Sequence, residues 1–428
     1  MKKPFILFLA LSAGGSLAAQ DLDAVINTKE VERIEKIISS DDMQGRASFS
    51  PGIEKAADFI CGEFKAAGLQ TLNNSGSYRQ TFTMVKAKPI STSGTFDGQA
   101  LDEKNIIVFT TQADLTVNNQ SGYEKAFIRK DDNIRSVIFK YIQADKDYLV
   151  LLDTSFAKIF PRLAGLKGQQ FKSDHSVIFV LSTADPKQYE IHALHDITEA
   201  KLSNVVGILP GTAKKNEYVI FSAHYDHLGM VKPNAQHDSI YNGANDDASG
   251  STAVILLAKY FAKMKNNTRT LLFVTFAAEE IGGFGSQYFS RQFDPAQVVA
   301  MFNIEMIGTE SKWGTNSAYM TGYERTDMGK ILEKNLAGSQ FKFYPDPYPD
   351  QQLFFRSDNA TLARQGVPAH SLSTSKMDSE KHYHQLDDEI GTLDMKNMTE
   401  IIRAIAISSK SIVDGNDTPT RVDTKDLK

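Results

Sequence analysis

The sequence predicts an α/β fold: a mainly parallel mixed sheet with helices on both faces, interrupted by a β-rich inserted domain. Three observations predict it. From Asn204 onward, short apolar runs rich in β-branched residues alternate with stretches of helical period, the pattern of buried strands linked by helices. Between residues 86 and 199 the texture changes to short β-rich runs separated by polar loops. Ahead of that unit, two stretches place apolar residues at helical spacing.

The chain has 428 residues, 41% hydrophobic and 23% charged, with a formal net charge of -5. That is globular composition for two or three domains, and without a long basic run it offers no nucleic-acid surface. The single cysteine, Cys61, excludes an intramolecular disulfide. Lys2 and Lys3, the apolar run Pro4 to Ala13 and the small residues up to Ala19 predict a secretory signal over 1–20. That run is too short for a stable membrane span. Export is therefore expected, to the periplasm or the medium.

Helices are expected over Glu30–Ser39, where Val31, Ile34, Ile37 and Ile38 share a face, and over Pro51–Ala67, with Gly68 as a stop. These fall in 21–85, read as the first part of the α/β domain. In the insert (86–199), Asn105–Thr110, Val137–Ile142, Tyr148–Leu152 and Val177–Leu181 read as strands. Its histidines, His175, His192 and His195, are scattered and read as surface residues. The α/β domain resumes over 200–414. There Tyr218–Ala223, Thr270–Ala277, Val298–Met306 and His370–Ser373 read as strands. Asp247–Met264, Gly285–Phe293, Thr326–Leu336, Ala360–Gln365 and a long closing stretch, Met395–Val413, read as helices. Residues 415–428 read as a polar, disordered tail.

Ligands of such sheets bind beyond the carboxyl ends of the strands, and five segments place His, Asp or Glu there. They are Ser222-Ala-His-Tyr-Asp-His-Leu-Gly229, Asn242-Gly-Ala-Asn-Asp-Asp-Ala-Ser-Gly250, Phe276-Ala-Ala-Glu-Glu-Ile-Gly282, Phe302-Asn-Ile-Glu-Met-Ile-Gly308 and Tyr383-His-Gln-Leu-Asp-Asp388. Each alone has an ordinary reading: a packed histidine, an Asp helix cap, a solvated acidic loop. Glu305 does not, because an acid between Ile304 and Met306 in a buried strand is costly unless paired or bound to metal. Together, two histidines and three acids fit a mixed nitrogen and oxygen site suited to zinc. Five ligands exceed one tetrahedral ion and suit two ions sharing a carboxylate.

In their order and spacing these motifs resemble peptidase family M28. Its members include bacterial leucyl aminopeptidases, glutamate carboxypeptidases, transferrin-receptor ectodomains and, more distantly, glutaminyl cyclases. The resemblance spans Asp42-Met-Gln-Gly-Arg46 onward and most of Asn204 to Val413. It implies a zinc-exopeptidase fold with His224 and Glu305 on one ion, Glu280 and His384 on the other, and Asp246 bridging both across a cis Asp246–Asp247 peptide. It implies Glu279 as general base. Asp226 and Asp388 would hold His224 and His384, while Asp247 and Asp358 would support the site. Tyr383 stands where one branch has an oxyanion-stabilising tyrosine. Two positions depart from the pattern: Glu305 replaces a common Asp, and Asn359 replaces a histidine after Ser-Asp. The insert resembles a protease-associated domain in position.

The expected activity is therefore removal of amino-terminal residues from peptide substrates with two Zn2+ ions, other divalent metals fitting the same ligands. Carboxypeptidase or dipeptidase action, glutaminyl cyclisation and a non-catalytic binding role are the alternatives, in that order. The intact ligand set and Glu279 argue against the last.

Overall fold

The computed structural model describes residues 21–425 and Leu427, so the expected signal segment lies outside the described residues. The chain divides into two compact units, residues 1–81 with 202–428, and residues 82–201.

The first unit is built on a mixed sheet. Four parallel strands form its centre, in the order Arg269–Phe276, Lys214–His224, Val298–Ile304, Ala369–Ser373. Antiparallel neighbours flank them: the end of Tyr189–Leu209 on one side and Ser317–Met320 on the other. All eight residues of Arg269–Phe276 and all seven of Val298–Ile304 are buried, as expected of strands covered on both faces. On one face Phe221 stacks with Phe273, Phe302 and Phe261 of the helix Ser249–Met264. On the other, Ile220, Leu272 and Val274 pack with Phe289 and Leu362 from the helices Phe284–Ser290 and Asn359–Ala363. Register sets His224 level with Phe276 and Ser222 level with Asn303. The acids that follow Phe276 and Ile304 thus leave the sheet beside His224.

Residues 82–201 hold a four-stranded sheet in the order Ile106–Phe109, Val177–Leu181, Tyr148–Leu152, Glu124–Ile128. Its side chains alternate between two apolar layers: Ile106, Val108, Leu149 and Leu151 on one face, Ile107, Phe109, Val150 and Leu152 on the other.

Several expectations need correction. Val137–Ile142 is not a strand; it belongs to the helix Ile134–Ile142, started by Asn133, whose side chain accepts from the Arg135 N–H. Ile138 and Tyr141 form its buried face, and a short apolar run cannot be told from a strand by period alone. The closing stretch is two helices, Met395–Ser408 and Lys410–Val413, separated at Ser409. The tail is not loose up to its last described residues. Arg269 donates to the carbonyls of Ile412 and Asp417, the Val422 N–H to Gly366, and Val422 and Leu427 join the core. Among the described residues no helix is long and apolar enough to cross a membrane.

Candidate metal centre and active site

Three strand ends and two loops converge. His224 is the last residue of its strand, and the strand Val298–Ile304 stops one residue before Glu305. Glu305 is therefore not embedded in the strand as expected; its side chain is 20% exposed. The backbone is left-handed just past two of these ends, at Ala278 (φ 62°) and Met306 (φ 53°), and again at His384 (φ 57°). Such conformations cost about 1–3 kcal/mol each and cluster where a site demands them.

The Asp246–Asp247 peptide is cis. Neither residue has helical backbone, and the helix proper starts at Ser249. Asp247 Oδ1 accepts from the N–H groups of Gly250 and Met306, and its Oδ2 from the His224 N–H. Asp247 thus absorbs the capping role, and Asp246 is left for the site. Two glycines make room for this turn. A Cβ on Gly250 would stand 2.3 Å from the Ile304 carbonyl oxygen, and one on Gly243 (φ +55°) would stand 2.5 Å from the His227 ring.

Asp246 faces two ways. Its Oδ1 is 3.1 Å from His224 Nε2, and its Oδ2 is 3.2 Å from His384 Nε2. His224 Nε2 is also 3.3 Å from Glu305 Oε1, and His384 Nε2 is 3.1 Å from Glu280 Oε2. Ligands about 2.0–2.2 Å from a tetrahedral ion stand roughly 3.3–3.6 Å apart, so these separations approach the edges of a coordination shell. Two groups of ligand atoms, one with His224 and Glu305 and one with Glu280, share Asp246. The donors are imidazole nitrogen and carboxylate oxygen, the set zinc accepts. Each group's donors fit a zinc ion, and Asp246 is common to both groups.

The charges agree with that fit. The contacts with Asp246 and Glu280 push His384 up to about 10. Burial works against a charged His224, yet Glu305 and Asp246 hold its pKa well above the ordinary value. Burial likewise opposes ionised Asp246, but His224 and His384 keep its carboxyl far below the usual range. Buried carboxylates this close call for positive charge.

Glu279 follows Ala278 in the turn after Phe276. Burial raises its pKa well above the ordinary value, and the charges of Glu305, Asp358 and Glu280 add to the rise against the opposing pull of His224. Tyr383 stacks on His384 with ring centroids 3.9 Å apart, and it borders an open cleft with Glu305. Asp358 is buried, and burial lifts its carboxyl to about 7.

The supporting acids do other work than expected. Asp226 does not hold His224 through its carboxylate, which lies 3.8 Å from Nδ1; its backbone carbonyl does, at 3.1 Å. The carboxylate instead accepts from the N–H groups of Glu279 and Glu280, at 3.0 and 3.4 Å. Asp388 accepts from the N–H groups of Asn245 and Asp246, at 2.8 and 3.0 Å, rather than from His384. Both acids fix the backbone beneath ligands, because backbone donors in tight turns must be satisfied. Asn359 donates to the carbonyls of Phe354 and Ala369 and accepts from Ser371, a packing role.

Two residues escaped the sequence reading. His227, three residues past His224, is buried with Nδ1 2.7 Å from Glu280 Oε1 and 3.9 Å from Asp246 Oδ2. It joins the second ligand group, and its presence in the quoted His-Tyr-Asp-His segment was the only signal. Arg46 is fully buried, its guanidinium donating to the carbonyls of Tyr225, Ile38, Asn242 and Gly243. It ties the loop after His224 to the loop before Asp246.

Residues 204–408 match the model of Peptidase family M28. A probable leucine aminopeptidase of Trichophyton verrucosum is 30% identical over 206 residues, 46% of this chain and 54% of the relative. The chain thus spans about half the length of that relative. A probable zinc metalloprotease of Pyrenophora tritici-repentis is 33% identical over 114 residues, 26% of each chain. Among solved structures, an aminopeptidase from Aneurinibacillus sp. strain AM-1 aligns over 92% of this chain and 95% of its own, with a TM-score of 0.53 and 16% identity. A zinc aminopeptidase from Bacillus subtilis aligns over 94% and 99%, also at 0.53, with 14% identity. These two share the fold. The segment 204–408, which carries the ligand-bearing strand ends, thus matches peptidase family M28.

Proposed function

We propose that the protein is a metallo-exopeptidase, specifically an aminopeptidase that holds two zinc ions and hydrolyses the amino-terminal peptide bond. One observation carries the two-ion reading: Asp246 offers one carboxylate oxygen to His224 and the other to His384, each already beside a glutamate. Aminopeptidase is the first choice because it is the activity named for the relatives of the matched segment.

His224 and Glu305 would hold one ion, Glu280 and His384 the other, with Asp246 between them; His227 holds Glu280 in place or joins it. Bound zinc would supply Lewis acidity, polarising the scissile carbonyl and making water acidic enough to ionise near neutral pH. Glu279 takes the proton of the attacking water and returns it to the leaving amine. Its high pKa suits a group that must carry that proton between the two steps. Asp226, bonded to the Glu279 and Glu280 N–H groups, keeps base and ligand in register. Tyr383, in the cleft beside Glu305, favours a second reading, carboxypeptidase action, in which its hydroxyl steadies the oxyanion.

The test is release of amino acids from peptides with free or blocked amino termini, with and without chelator. Chelator-sensitive release from free amino termini alone is expected. Release from the carboxyl end of blocked peptides would move the protein to the second reading. Glu279→Gln should lower turnover about 10²–10⁴-fold with metal content unchanged; undiminished turnover would remove Glu279 as the base.

A further inference from the structure

The cleft beside Glu305 is lined by one arginine and several apolar side chains. Met306, Tyr319, Leu353 and Met377 form its apolar walls, and Arg356 lies on its lining together with Glu305. The walls are firm: Tyr319 and Leu353 are buried and pack with Tyr348 and Met377, and the Tyr319 hydroxyl donates to the Ser375 carbonyl. Arg356 is exposed, and its Nη1 donates to Gln351 Oε1 at 3.1 Å. Among the described residues no carboxylate stands within ion-pair distance of its guanidinium, so most of its donor fork is unused. An arginine fork matches a carboxylate with two parallel hydrogen bonds. In this cleft no protein acid fills that place.

We propose that Arg356 binds a substrate carboxylate, which makes acidic or very short peptides the preferred substrates of this site. The inference rests on the peptidase reading above and deepens it. Two sources present the same chemistry: the side chain of an acidic residue at the cleaved end, or the free carboxyl end of a dipeptide. Arg356 then takes the carboxylate, while the apolar walls take the methylene groups beside it.

The experiment uses the full chain loaded with zinc and four compounds: glutamyl and leucyl anilides, and leucyl-alanine with its carboxyl end free or amidated. In Arg356→Gln, the ratio of kcat/KM for a carboxylate-bearing compound to that of its carboxylate-free partner should fall about 10- to 100-fold, the range for hydrogen bonds to a charged group. Arg356→Lys, which keeps the charge but not the fork, should restore part of the ratio. A fall confined to the anilide pair assigns the side chain, and one confined to the dipeptide pair assigns the chain end. An unchanged ratio in both pairs overturns the proposal. Calorimetric binding of the same compounds separates this result from the peptidase reading. Carboxylate-preferring binding that depends on Arg356, without cleavage, would reject peptidase action and keep the site. Cleavage indifferent to carboxylates would reject the site and keep the activity. Neither cleavage nor such binding would reject both.

Discussion

In the unit formed by residues 1–81 and 202–428, His224, His227 and His384 each face a carboxylate carried by a different segment, with Asp246 shared among them. In the unit formed by 82–201, His175 faces Asp145 and Asp147, and His192 faces Asp114, at side chains 31–100% exposed. The His195 ring, expected at the surface, is instead buried with neither nitrogen hydrogen-bonded, held to about 4 by burial with a contribution from Lys167, and therefore neutral. The same residue types thus give two outcomes. An exposed pair is screened and worth at most about 1 kcal/mol. Buried carboxylates that share imidazoles are costly unless a cation joins them. Among the described residues, groups of three ligating side chains occur only in the first unit. Convergence of several segments on one carboxylate, rather than the number of histidines, separates a metal centre from surface pairing.

The strongest way to break this comparison is to remove the shared carboxylate. Asp246→Ala should take bound metal from the two ions proposed toward none and lower peptidase activity about a thousandfold, the several kcal/mol that Lewis-acid ions supply. Elemental analysis alongside a peptide assay reads both; retention of two tightly held ions would end the bridged reading. A smaller effect should follow from Arg46→Met. It leaves the carbonyls of Tyr225, Asn242 and Gly243 buried without their donor and should destabilise the chain by about 1–3 kcal/mol for each of them. The midpoint of urea unfolding measures this, and an unshifted midpoint would show that water replaces the guanidinium. The smallest effect sharpens the contrast: replacing His175 and His192 together by Ala should alter stability by less than about 1 kcal/mol and leave metal content alone. A drop in bound metal would place an ion in the second unit.

Much of the ligand-bearing sheet was legible. Strand runs such as Leu271–Val274 are apolar, and residues at a strand's carboxyl end have a predictable place. The helix Ile134–Ile142 was misread because nine residues with mixed apolar content do not settle a period, and its cap Asn133 is a weak signal beside them. The tail was misread because composition reports polarity but not the pocket that accepts one side chain, Val422. Glu305 was placed one residue too deep, since strand ends depend on where partner strands stop pairing.

The sequence alone determined the α/β class, the strand-end acids and histidines, and the family to which their motifs belong. These depend on local period and on residues fixed within a few positions of one another, which the chain carries wherever it folds. Only the tertiary structure decided what each supporting group touches. Asp226 reaches the backbone of Glu279 and Glu280 instead of the His224 ring, Asp388 reaches Asn245 and Asp246, and His227 turns toward Glu280. Arg46 and Arg356 differ in the same way: the first is enclosed by carbonyls, the second stands open on a cleft. Both are arginines in the sequence, and a side chain's direction is set by loops brought together from distant positions.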